Sequence, residues 1–229
     1  MPEVITNVSK EAHEYVERLR KLDCCAVSDA LDKLKLTGVV TGLPQQSGHG
    51  RIAGQVITVK LGTGEPPPGP PKHLCSTAIA MGGEDNVIVV EQRTGIEAGS
   101  WGGLLTLGAR MRAIAGVVAD GPVRDIDEAV QYDFPVFTHT LTAFTARGRV
   151  VEKGTNLPVT IGSINVNGGD YVVADKSAVI FIKSAEIEKV LEAAEMIVAR
   201  EAAIAKALLG GTPIGEAMGG NYEYMLNNN

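Results

Sequence analysis

Apolar and polar positions alternate along residues 50–61, GRIAGQVITVKL, and the stretch is rich in β-branched side chains. A period of two with that composition predicts a strand. NVIVVE at 86–91 and GVVAD at 116–120 are short, nearly unbroken apolar runs, as expected of strands covered on both faces. Other segments carry the helical period. Residues 9–22 are amphipathic, with Ser9 placed to cap the first turn and Glu11 inside it, where the helix dipole favours negative charge. A full capping box is absent, because Ala12 stands where its acid belongs. A second short helix is expected from Ser28-Asp29 through Ala30, Leu31 and Leu34, with Gly38 ending it. Residues 184–211 predict a long amphipathic helix stopped by Gly210 and Gly211.

The order of these elements predicts a topology. NVIVVE leads into a glycine-rich turn at 94–103 and a helix over 104–115. GVVAD leads into a turn plus helix over 121–132, and FPVFTHTLT at 134–142 reads as a further strand. Strand, turn and helix in succession predict parallel β–α–β units. Residues 157–182 differ: β-rich runs are split by Asn-Gly-Gly-Asp and Asp-Lys-Ser, the mark of hairpins. Between 62 and 74, five prolines and three glycines exclude regular structure. That segment reads as a surface loop, or more sharply as a lid or a subunit-contact arm, with His73 at its end and Cys75 just beyond. The tail at 221–229 has no core pattern. No linker is long enough to divide the chain, so residues 1–229 read as one α/β domain with N-terminal helices and a long C-terminal helix.

Composition narrows the function classes. Apolar residues make up 45% and charged ones 21% of the 229 residues, ordinary for a globular protein. The net charge of -6 opposes binding to nucleic acid or an anionic membrane, and no basic run reverses it. The N-terminus lacks a secretory apolar segment and no stretch approaches a membrane span, so a cytoplasmic protein is expected. Cys24, Cys25 and Cys75 are odd in number and lack zinc-site spacing, which suits a reducing compartment.

Chemistry concentrates in two places. Ser100-Trp101-Gly102-Gly103-Leu104-Leu105 stands where a glycine turn hands over to a helix. The first helical amides lack internal partners and suit a carboxylate or phosphate, although such a turn is usually only a turn. Asp120-Gly121-Pro122-Val123-Arg124-Asp125-Ile126-Asp127-Glu128 gathers four acids and an arginine at the C-terminal end of a buried strand, the edge where open parallel sheets bind ligands. Clustered carboxylates suit Mg2+ or Mn2+, and Arg124 suits a carboxylate or a carbonyl oxygen. Helix capping by Asp125, supported by Glu128, explains the same residues, and both readings stay open.

Several segments, in order, carry a family resemblance: AVSDALDKL at 26–34, GRIAGQVITV at 50–59, WGGLLTLGARMRAIAGVVADGPVRDIDEA at 101–129, FPVFTHTLT at 134–142 and GGDYVVADKSAVIFI at 168–182. Together they resemble the RraA-like family, which holds the regulator of ribonuclease activity A and the 4-hydroxy-4-methyl-2-oxoglutarate aldolases. The resemblance implies a compact β/β/α sandwich of the swivelling-domain type, assembled as a trimer or hexamer. It implies a divalent metal, Mg2+ or Mn2+, held by Asp125 directly or through water. Arg124 would bind a keto oxygen, and backbone amides around Gly102, Gly103, Leu104 and Leu105 a substrate carboxylate. Asp120 matches the family's Asp-Gly at the strand end. Aldolase-active members carry an acid upstream of the Arg-Asp pair, and its position here falls on Gly103; Glu97 is the candidate to replace it. The implied activity is a metal-dependent lyase acting on a 2-oxo acid, by retro-aldol cleavage or by oxaloacetate decarboxylation, both through a pyruvate enolate. The alternatives are ring opening, hydration or decarboxylation of an aromatic-catabolism intermediate in the same pocket, and a non-catalytic ribonuclease regulator.

Overall fold

The computed structural model describes residues 8–219. Residues 1–7 and 220–229, the latter including the tail at 221–229, lie outside the described residues. Helix α1 (Lys10–Leu19) begins as expected, with Ser9 Oγ accepting the Ala12 amide at 3.1 Å. Helix α2 (Cys24–Lys33) starts a turn earlier than expected, because Asp23 caps it by accepting the Ala26 amide at 2.8 Å. It also ends before Gly38: Lys35 already takes a left-handed backbone, with φ 56°. Gly38 serves a different purpose, since a Cβ there would lie 2.1 Å from the Phe181 carbonyl oxygen.

Strands β1 (Val39–Val40) and β2 (Gln45–Ser47) are short, and β3 (Ile52–Gly62) is the long alternating strand. The proline loop follows it, then a short helix that the sequence pattern did not predict, α3 (Ser76–Met81). Next come β4 (Asn86–Glu91), α4 (Gly103–Met111), β5 (Gly116–Asp120), α5 (Ile126–Gln131) and β6 (Val136–Thr138). The expected strand over 134–142 is therefore much shorter. Thr138 Oγ1 donates to the Gly121 carbonyl at 2.8 Å, and the chain leaves the sheet so that Leu141 bridges Val123. Then follow β7 (Val151–Thr155), the pair β8 (Val159–Ile161) and β9 (Ile164–Val166), and the pair β10 (Tyr171–Ala174) and β11 (Val179–Ile182). The long helix α6 (Ile187–Leu209) stops at Gly210 and Gly211, and α7 (Ile214–Ala217) ends the described chain.

The main sheet runs β1-β11-β10-β3-β4-β5-β6-β2, with β7 paired to the far end of β3. Its centre, β3 to β6, is parallel, as the strand–turn–helix succession predicts. The pairs β8–β9 and β10–β11 are antiparallel hairpins. Strand alternation sorts the core into layers. Val90, Val117 and Ala119 pack with α3, α4 and α5, whereas Val87, Val89, Val118 and Phe137 pack against Val159, Ile161 and Val166 of the β8–β9 hairpin. Alternate residues of β10 and β11, among them Tyr171, Val173, Ile180 and Ile182, pack with α1, α2 and α6. A β hairpin, a sheet and helices thus stack as a β/β/α sandwich.

Candidate active site at the start of helix α4

Strands β4 and β5 end side by side, with Glu91 paired to Asp120. The loops beyond them are fastened together. The amide and hydroxyl of Ser100 donate to the Pro122 carbonyl at 2.7 and 2.9 Å. The Arg124 amide donates to the Trp101 carbonyl at 3.0 Å, and Val123 bridges both Trp101 and Leu141. Trp101 is buried, stacks on Phe134 at 6.4 Å between centroids, and donates its indole N–H to Thr106 Oγ1 at 2.9 Å. A buried ring with its one polar atom satisfied is a rigid anchor. It fixes the loop before α4 to the first turn of that helix.

This platform sets Arg124 and Asp125 on the N-terminus of α4. Asp125 has φ 57°, a left-handed backbone that aspartate tolerates better than most side chains. It occupies the cap position of α5 but makes no side-chain bond to that helix. The capping expectation is thus corrected in its target: Asp125 Oδ2 accepts the Gly103 amide of α4 at 3.1 Å. Arg124 Nε donates to both carboxylate oxygens of Asp125, at 3.2 and 3.1 Å. The Thr106 amide is bonded to the Gly102 carbonyl. The amides of Leu104 and Leu105 are left without an intrahelical partner, as helix geometry requires.

Glycines make room for these side chains. A Cβ on Gly99 would come within 2.9 Å of Arg124 Cγ, and one on Gly102 within 2.9 Å of Asp125 Oδ2. At Gly103 a Cβ would sit 1.8 Å from Glu128 Oε2, the far end of an exposed, flexible side chain that would have to swing away. The space that a side chain at 103 would fill therefore holds the carboxylate of Glu128, which α5 presents one turn after Asp125. In the sequence Glu128 counts both among the four clustered acids suited to a hard cation and as support for a cap. Its place in the first turn of α5, three residues after Asp125, was the signal for a shared site.

The other acids lie elsewhere. Glu97 Oε1 accepts from Thr142 Oγ1 at 2.9 Å, and neither Glu97 nor Glu128 is among the residues lining the cavity beside α4. Asp120 Oδ2 accepts the Gly162 amide at 2.8 Å, with Arg93 and His139 facing it at 3.8 and 3.9 Å. Glu91 Oε2 accepts the Thr160 amide at 2.5 Å. Asp120 and Glu91 thus pin the β8–β9 hairpin on the opposite face of the sheet.

A cavity of about 1020 Å³ opens beside the start of α4. Gly99, Trp101 to Leu105, Arg124 and Asp125 line it, together with the proline loop from Pro66 to Leu74 and residues on either side of the β7 start. Glu152 lines it too, but its carboxylate is engaged by the Cys75 amide and Thr155 Oγ1, both at 2.7 Å. Cys75 is fully buried and burial pushes its thiol pKa well up, so it is no nucleophile. His73 is exposed, its Nδ1 3.0 Å from the Leu74 carbonyl oxygen.

The donor set fits one kind of cation. Among the described residues no three His, Cys, Asp or Glu side chains converge as a cage. Asp125 offers one hard oxygen ligand at the Gly103 amide, and the Glu128 carboxylate reaches the same glycine from the side where its Cβ would lie. One or two carboxylates, with the remaining positions left to water and substrate, is how proteins hold Mg2+.

A β/β/α sandwich with an Arg-Asp pair at a helix N-terminus beside an open cavity defines a small α/β protein with a cavity at the sheet's carboxyl edge. The model of the RraA-like family, described as Aldolase/RraA, matches residues 24–181, and the chain belongs to that family. It is 26% identical over 202 residues to "Protein DlpA" of Legionella pneumophila, a match covering 88% of this chain but only 33% of that protein. It is 24% identical over 188 residues to a Halalkalibacterium halodurans protein named "Putative 4-hydroxy-4-methyl-2-oxoglutarate aldolase", covering 82% of this chain and 85% of that one. A crystal structure of an uncharacterized protein from Pseudomonas syringae pv. tomato superposes with a TM-score of 0.80 at 26% identity, covering 91% of this chain and 98% of the other.

Proposed function

We propose that the chain is a divalent-metal-dependent carbon–carbon lyase acting on a 2-oxo carboxylic acid. The observation that carries this reading is the placement of Arg124 and Asp125 on the N-terminus of α4, bonded to each other and to the Gly103 amide. The substrate carboxylate would sit on the Leu104 and Leu105 amides, where the dipole and the unpaired N–H groups favour an anion. Arg124 would place its guanidinium at the keto oxygen and stabilise the negative charge that grows there as the enolate forms. Asp125 would hold Mg2+ or Mn2+ directly or through water, which leaves Glu128 free to take a proton. When bound, that ion supplies Lewis-acid polarisation of the same oxygen.

In retro-aldol cleavage the C3–C4 bond breaks, and its electron pair passes into the pyruvate enolate. The C4 hydroxyl becomes the carbonyl of the second product, so its proton needs an acceptor. Glu128 Oε2, in the space beside Gly103, is the proposed acceptor in place of Glu97. The proton returns to C3 to give pyruvate. Decarboxylation of oxaloacetate runs through the same enolate without that acceptor.

The assembly is proposed to be a trimer or hexamer with the site near a subunit boundary. Leu104, Leu107 and Met111 of α4 and Val130 of α5 are exposed apolar side chains beside the site, which supports a covered face. The test is pyruvate release from 4-hydroxy-4-methyl-2-oxoglutarate and oxaloacetate with Mg2+ or Mn2+. Release with both, lost on chelation, is expected; release insensitive to chelator would overturn the metal mechanism.

A further inference from the structure

The cavity beside Arg124 is larger than a short 2-oxo acid needs. At about 1020 Å³ it stands at the upper end of the ~300–1,000 Å³ range of pockets that enclose drug-sized ligands. Its composition also divides. Part of its lining is the pair Arg124–Asp125 with the free amides at the start of α4. Also in the lining are the five prolines of 66–71, apolar and each fixed in φ, with Gly69 between them. Pyrrolidine faces of this kind suit a flat apolar body and offer no N–H for a polar one.

Two cations line the same cavity, Lys72 from the proline loop and Arg147 from the turn before β7. Among the described residues neither side chain is hydrogen-bonded or ion-paired. Arg124, by contrast, is held by Asp125, and the Glu152 carboxylate is engaged by Cys75 and Thr155. Those partners of Glu152 are neutral, so with Arg124 and Asp125 cancelling, Lys72 and Arg147 outweigh Glu152 by one charge, in a chain whose net charge is -6. An apolar wall with unpaired cations suits a ligand with an apolar body and an anionic end.

We infer that the cavity takes an extended substrate: a 2-oxo acid head at Arg124 and α4, an aromatic or similarly apolar body along the proline wall, and a second carboxylate at Lys72 and Arg147. The head assignment rests on the lyase reading; the tail assignment rests on different residues. The substrate class is thus an aryl or long-chain 2-oxo acid with a distal carboxylate, not only a compact one.

Direct binding by calorimetry separates the two assignments. The probes are oxalate for the head, phenylpyruvate for head and body, and 4-carboxyphenylpyruvate for head, body and tail. The wild type should bind 4-carboxyphenylpyruvate at least about tenfold tighter than phenylpyruvate, the scale of one hydrogen bond to a charged group. The double variant Lys72→Gln/Arg147→Gln, checked for an unchanged melting temperature, should bring that ratio to about one. Lys206→Gln, an equal type of charge loss on α6, should leave the ratio high. Equal affinities in the wild type, or a ratio that survives the double variant, would overturn the tail site. Failure of oxalate to bind would instead overturn the head assignment, and the ratio between the aromatic acids would still decide the tail.

Discussion

Asp125 combines a left-handed backbone with a carboxylate that caps a helix other than its own. Asparagine tolerates the same backbone and can accept the same amide. Asp125→Asn should therefore melt close to the parent, whereas Asp125→Ala should lose roughly 1–2 kcal/mol through the lost cap; denaturant unfolding checks both. Both should lose metal-dependent turnover. Gly103 gives a sharper case. Its backbone is helical, so φ admits a side chain, and what one meets is the movable carboxylate end of Glu128. Gly103→Asp alone should cut aldol cleavage by displacing Glu128, and the Glu128→Ala change added to it should recover part of the rate, measured as pyruvate release. If Gly103→Asp raises cleavage by itself, Glu128 is not the acceptor. Arg124, Asp125 and the run Gly102 to Leu105 were legible in the sequence because they are close neighbours along the chain. The destinations of Asp120 and Glu97 were not, although one clue lay in the strand period: Asp120 shares a face with Val118, which packs on the β8–β9 hairpin.

Helix α1 is tied to the turn before β4 by His13, whose Nδ1 lies 2.7 Å from Asp85 Oδ2, and by Arg20 at 3.2 Å from Oδ1. The hydrogen bond to Asp85, and then its charge, raises the His13 pKa. A raised pKa in the folded state means that the contribution is full below the unfolded value of about 6.5 and is lost as pH rises through the folded value. The gap in melting temperature between wild type and His13→Ala should therefore be larger near pH ~6 than near pH ~9. A gap that grows with pH would contradict this. At this scale the sequence served unevenly. The parallel strands and the hairpins were legible because burial imposes their period. Strand β7 was not, since its residues are all half-buried and give no alternation. Helix α3 was hidden behind the proline loop, where its one buried residue, Ala78, leaves no apolar stripe to read.

For the molecule as a whole, the exposed apolar side chains on α4 and α5 point to a covered face. Leu104 is 85% and Met111 78% exposed, more than single scattered apolar residues explain when they share one helix. Sedimentation should give a trimer or hexamer, and Leu104→Glu/Met111→Glu should shift it toward monomer. A monomeric wild type would contradict the assembly. The central claim is that Arg124 and Asp125 at the start of α4 run lyase chemistry on a 2-oxo acid with a divalent ion. The most direct measurement is pyruvate release by the purified protein from oxaloacetate and 4-hydroxy-4-methyl-2-oxoglutarate, with and without Mg2+, for wild type and Arg124→Lys. Lysine keeps the charge but lacks the planar fork. The account predicts Mg2+-dependent release that falls by about 10²–10³ in kcat/KM in the variant, the scale of a transition-state charge contact. A wild type that releases no pyruvate from either acid, or a variant with near-normal kcat/KM, would contradict it.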